Sequence, residues 1–130
     1  MKTAILTMIL STALGVGAAL ADPALGRWRT QPDDNGNTGI VEMVMCGDRL
    51  CGTLTQSMRA NGEVFQSANV GRRIVWDMEP RGNGSYRDGQ IWSPDRDQTY
   101  SSRMTLAGDT LTVAGCVLFI CRDQTWTRAR

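Results

Sequence analysis

The sequence predicts an all-β domain, a small eight-stranded antiparallel barrel wound as an up-and-down meander. Three observations carry that expectation. Short β-type runs are separated by turn signals at roughly eight- to twelve-residue intervals. Residues 98–106 alternate cleanly, with Tyr100, Ser102, Met104 and Leu106 on one face and Thr99, Ser101, Arg103 and Thr105 on the other. No stretch carries an amphipathic helical period of useful length, an internal repeat or a low-complexity tract.

The strands follow in order. Residues 25–30 form a first strand carrying Trp28, closed by the turn-rich loop 31–37. Residues 40–46 are a second, with Val41, Met43 and Met45 on one face and Glu42 on the other, and residues 50–56 return after the turn Gly47-Asp48-Arg49. Residues 57–71 are polar and irregular. In 72–79, Ile74, Trp76 and Met78 alternate against Arg73, Val75 and Asp77. A turn at 80–84 leads to a strand at 85–92, and Ser93-Pro94-Asp95-Arg96-Asp97 turns the chain into 98–106. A seventh strand carries Leu111 and Val113, and residues 122–128 form the last, centred on Trp126. Eight strands joined by short hairpins close well into a small barrel, which also removes the exposed edges of an open sheet.

The first 21 residues read as a signal peptide, residues 1–21, cleaved after Ala21. Lys2 gives a short positive start, an uncharged apolar run covers 4–20, and Ala19-Leu20-Ala21 presents the small-x-small pattern that signal peptidase reads. The run is at the short end of what spans a bilayer and lacks stop-transfer basic residues, so no stable membrane insertion is expected after cleavage. Residues 22–130 then form one domain of 109 residues, located in the periplasm, with release from the cell as the alternative. Without Lys2 that domain holds 13 basic and 13 acidic residues. A balance so even argues against a dedicated nucleic-acid binder.

The cysteines come as two pairs of equal spacing, Cys46-x4-Cys51 and Cys116-x4-Cys121. In an exported chain an even count reads as disulfides, and partners across a hairpin reach bonding distance, so the local pairings Cys46–Cys51 and Cys116–Cys121 are the simplest of the three connectivities. A four-thiolate zinc site is the rival, but zinc sites favour tighter spacings and thiols are lost to oxidation outside the cytosol. Each bridge closes a short loop and contributes on the order of 2 kcal/mol in the loop-closure account.

There is no histidine. Ser-His and Cys-His nucleophile pairs, the commonest zinc ligand and the usual neutral-pH base are therefore missing. The paired loop acids Asp33/Asp34 and Asp95/Asp97 read as turn formers rather than an acid–base dyad. A calcium loop starting at Asp33 fails, because its sixth position is Thr38 rather than glycine and its twelfth is Val44 rather than glutamate. No catalytic residue, metal or cofactor is expected. Trp76, Tyr100 and Trp126 fall on faces read as inward, where they either line a ligand pocket or fill the barrel solidly.

Several motifs, in order, resemble the bacterial "domain of unknown function 2147" family. Gly26-Arg27-Trp28 is similar to its opening G-x-W. Val41-Glu42-Met43, Cys46-Gly47 and Leu50-Cys51-Gly52 resemble a cysteine-bearing form of its first hairpin. Ser93-Pro94 through Thr99-Tyr100 resembles its D-P-x-x-G-K-T-Y turn. Gly115-Cys116-Val117-Leu118, Cys121 and Gln124-Thr125-Trp126-Thr127-Arg128 resemble its C-terminal signature. Ser93 replaces the family's usual acid and Asp97 its usual turn glycine, and residues 58–70 match poorly. The resemblance implies a calycin-like barrel, shaped like the lipocalins and streptavidin, and no established activity. In such barrels a first-strand tryptophan and a last-strand arginine close one end, a role that falls here to Trp28 with Arg128 (or Arg122).

The function expected on these grounds is non-enzymatic binding of a small apolar or amphipathic ligand, or of a cell-envelope component, at an open mouth. The alternative is a protein-binding barrel, such as a protease or lysozyme inhibitor or an assembly factor, whose partner is an envelope protein met by loop 57–71 and by Leu118, Phe119 and Ile120. A packed interior disfavours the first, and an exposed apolar patch favours the second.

Overall fold

The computed structural model describes residues 3–4 and 21–130; the signal-peptide reading falls mostly outside them. Nine strands are present among the described residues: β1 (Gly26–Arg29), β2 (Thr38–Cys46), β3 (Arg49–Met58), β4 (Val64–Phe65), β5 (Arg73–Gly82), β6 (Ser85–Ser93), β7 (Gln98–Ala107), β8 (Thr110–Val117) and β9 (Ile120–Arg128). Every pairing is antiparallel, and the sheet closes through β2–β3 and β1–β9 into the expected eight-stranded meander. The ninth element, β4, is an addition to that count. Its two residues pair with Ser57 and Met58 of β3 in the segment read as irregular. Arg59 there lies 4.4 Å over the Phe65 ring, a contact that favours the short return.

All strands thread the barrel in alternating directions, so the loops separate into two ends. The connections 30–37, 59–72 and 94–97 and the β8–β9 turn lie at one end. The chain start, the β2–β3, β5–β6 and β7–β8 turns and the chain end lie at the other.

The second end is plugged. Residues 22–25 fold across it, with Ala24 fully buried, and the Trp28 indole N–H donates to the Ala24 carbonyl at 2.9 Å. Arg128 stacks 4.0 Å from the centroid of the Trp28 ring and donates to the carbonyls of Leu25 and Pro23, each at 2.7 Å. Tyr86 donates its hydroxyl to Asp22 at 2.6 Å, and the Ala24 N–H donates to the same carboxylate oxygen at 2.8 Å. Burial, and next the hydrogen bond to Asp22, push the Tyr86 phenol well above its ordinary value near 10.

Inside, Val41, Met43, Leu50, Val75, Met78, Met104, Leu111, Val113 and Trp126 are fully buried in one continuous core with Trp28. Glycine measures how tightly it is filled. A methyl group on Gly52 would lie 2.7 Å from both Met43 Sδ and Val41 Cγ1, and one on Gly89 would collide with the Met78 thioether. Methionine, unbranched and adaptable, occupies the space these glycines leave.

One alternation departs from the expectation. On β5 Ile74 and Met78 are buried as expected, but Val75 is fully buried in place of Trp76, which is half-buried. The ladder with β3 is irregular between Gly52 and Thr53, and Asp77 takes a left-handed φ of 56°, so a strict two-residue period does not run through this strand.

Two outcomes are expected. Gly89→Ala overpacks the core and lowers unfolding stability by about 1–3 kcal/mol in urea titrations. Because the Tyr86 phenol ionises more easily in the unfolded chain, the stability it contributes is intact below pH 10 and is lost as the pH rises beyond it. Tyr86→Phe is expected to cost about 1.5–3 kcal/mol at neutral pH and to flatten that alkaline decline in thermal melts.

Candidate functional site

The unplugged end carries the most unusual surface. The β8–β9 hairpin projects there as a finger: Val117 is 56% exposed, Leu118 90%, Phe119 99% and Ile120 74%. Val117 and Ile120 face each other as the last pair of the ladder, and the directly opposed pair behind them is Cys116 and Cys121, joined by a disulfide. Leu118 sits in the turn with φ 53°, a left-handed conformation that turns normally give to glycine or asparagine. Sequence chemistry alone would put Asn-Gly at such a tip. This chain keeps a leucine and a phenylalanine there, at a cost in backbone strain and in exposed apolar area.

The other disulfide joins Cys46 to Cys51 across the β2–β3 turn. These two are diagonal rather than opposed, since Cys46 pairs with Arg49 and Cys51 with Val44. All four cysteines are therefore in the expected local bridges, and such bridges suit an oxidising environment.

Two depressions mark the outer wall. One, of about 360 Å³, runs beside the root of the finger and is lined by Arg87, Asp88, Gln90, Ser101, Arg103 and Cys116, among others. It exists because β6 bulges at Asp88, which has φ 61° and breaks the register between Tyr86 and Gly89. Asp88 is neutralised by Arg81 at 2.6 Å, whereas Arg87 and Arg103 make no ion pair among the described residues. The other depression, of about 350 Å³, is formed by Arg72, Arg73 and Trp76. The Arg72 guanidinium lies 3.5 Å over the Trp92 ring, whose N–H donates to Asp97 at 2.9 Å, with Asp97 in the left-handed turn position at φ 47°.

The three aromatics read as pocket-lining do not converge. Trp126 is fully buried and donates its indole N–H to Gln124 at 3.1 Å. Tyr100 is half-buried and donates to Gln98 at 3.1 Å. Trp76 lines an outer depression rather than the mouth, because Val75 takes the inward place on β5. All three pack on the same core, but neither depression includes Tyr100 or Trp126. Trp28 and Arg128, by contrast, are brought into direct contact. Arg87 and Arg103 had no signal in the sequence, since their convergence depends on a bulge that the residue pattern does not announce.

A family profile described as an uncharacterized protein conserved in bacteria, DUF2147, matches residues 26–128, which is nearly the whole described barrel. The chain belongs to the DUF2147 family. Comparison with curated proteins found no match. Among solved structures, protein HP1028 from the human pathogen Helicobacter pylori, described as belonging to the lipocalin family, matches this DUF2147 chain with a TM-score of 0.66. The match has 16% sequence identity and covers 82% of each chain. At that identity the likeness is one of fold alone, a lipocalin-like barrel architecture.

Replacing Leu118 with glycine tests the finger's local cost. Leu118→Gly is expected to raise unfolding stability by about 1 kcal/mol, by relieving the left-handed strain, when measured by urea titration.

Proposed function

We propose that this protein is a periplasmic, non-enzymatic binding barrel that engages a cell-envelope component with the outside of its loop end rather than with its interior. The observation that carries the reading is the finger: four consecutive apolar side chains held in solvent on a disulfide-clamped hairpin, next to a core too full to admit a methyl group at Gly52 or Gly89. Monomeric proteins rarely keep such a patch without a use for it, and rigidity at the tip lowers the entropy lost on docking. The lack of histidine and the engagement of all four cysteines in bridges remove the common nucleophile and base chemistries.

A second reading, a small amphipathic ligand, draws support from the depression at Arg72, Arg73 and Trp76. It relocates the ligand from the barrel mouth to the outer wall, where Trp76 offers an apolar face beside two cations.

The two readings separate in a binding assay of mature protein with isolated cell envelopes. Phe119→Ser is expected to reduce envelope association at least tenfold, roughly the value of one buried phenylalanine, with the thermal melt unchanged. Full association by Phe119→Ser, or its loss only on Trp76→Ala, overturns the finger reading.

A further inference from the structure

We infer that the envelope component met by the finger is the surface of an anionic lipid bilayer. The inference rests on the finger reading above and adds the identity of its partner.

Shape and area argue for lipid first. Exposure climbs to 99% at Phe119, so no neighbouring loop covers the tip. The four side chains present on the order of 600 Å² between them, short of the roughly 800 Å² per partner of a stable protein interface. A second copy of the chain, or a flat protein face, would have to make up the difference on the adjoining loops, which carry the exposed acids Asp33, Asp34 and Asp95. A fluid apolar phase needs no matching shape and accepts a convex tip directly. The backbone tolerates entry to a shallow depth. The ladder runs up to the Val117–Ile120 pair, so only the turn backbone at Leu118 and Phe119 lacks strand partners, and entry limited to the side chains of the tip leaves that backbone at the polar boundary.

The charge pattern argues for anionic headgroups. Arg122 lies two residues behind Ile120, about 7 Å along the strand, and Arg103 pairs with Ala114, three residues and about 10 Å behind Val117. Arg87 shares the outer depression with Arg103. All three are exposed and without an ion pair among the described residues. An apolar tip with cations set back by roughly 5–10 Å is the arrangement that seats an interfacial element with its apolar groups among acyl chains and its cations at phosphate level. Of the nearby acids, Asp88 is held by Arg81, Asp97 accepts the Trp92 N–H and Asp95 is adjacent to Arg96, while the exposed Asp123, across Ala114 from Arg103 and without an ion pair among the described residues, faces the three arginines Arg87, Arg103 and Arg122. Asp33 and Asp34 belong to the β1–β2 loop, on the other side of β9, so a tilt that lowers the Arg87–Arg103 wall raises them away from the membrane. The even overall charge is thus compatible with a local cationic flank.

The test is co-sedimentation of the mature protein with vesicles of phosphatidylcholine, alone or with one-third phosphatidylglycerol. The expected result is binding to the mixed vesicles. Phe119→Ser should weaken it about tenfold or more, Arg87→Gln and Arg103→Gln about fivefold each, and added salt should weaken it further. A folded wild-type protein that leaves both vesicle types untouched overturns the lipid inference, as does binding that Phe119→Ser leaves intact. A photo-crosslinking residue at position 119, used in whole envelopes, keeps the two levels apart. Crosslinks to lipid support the inference. Crosslinks to one discrete protein overturn it while leaving the finger reading standing. No crosslink at 119, with crosslinks from position 76, overturns both.

Discussion

The ring of strands depends on Arg128. The β1–β9 seam that closes the barrel has only two register pairs, Trp28 with Arg128 and Arg29 with Thr127, whereas β8 and β9 share eight. So short a ladder is a weak joint by itself. Arg128 reinforces it from the side-chain layer, stacking on Trp28 and tying down the carbonyls of Leu25 and Pro23. One side chain thus binds the last strand to the first and to the segment that plugs the end, and its partial burial is tolerable because the Trp28 ring covers one face of the guanidinium while its N–H groups donate to carbonyls.

With one end plugged, the two ends differ in character. The plugged end is rigid, hydrogen-bonded and cross-tied by Arg130 and Arg128 to Asp109. The other end is where loops are free to vary. A barrel of this size has little interior to spare, and here methionine side chains fill what glycine leaves open. The binding proposed above is therefore placed on the outside, at the finger and at the walls where bulges bend the sheet.

Much of this was legible in the sequence. Strand number and order followed from turn spacing, because hairpins dominate and each strand pairs with its neighbour in the chain. The disulfides followed from their equal x4 spacing, since a four-residue hairpin end leaves a cysteine few other partners. Trp28 and Arg128 were legible only through family resemblance. The positions of Trp76 and of Arg87 with Arg103 were not. Each depends on a left-handed aspartate, Asp77 or Asp88, that shifts the two-residue period partway along a strand. Aspartate takes that conformation without declaring it, as glycine or asparagine-glycine would have done.

The seam also decides what a truncation removes. Its two strands lie at opposite ends of the barrel sequence, so the ring closes only when residues 26–29 and 120–128 are both in place. Without β9 the sheet is open, with unpaired edges at β1 and β8, and Trp28 lacks its cation. A chain cut before β9 therefore differs from the closed barrel by a whole missing wall rather than by a frayed tail, and exposes two edges of the kind that pair with other chains.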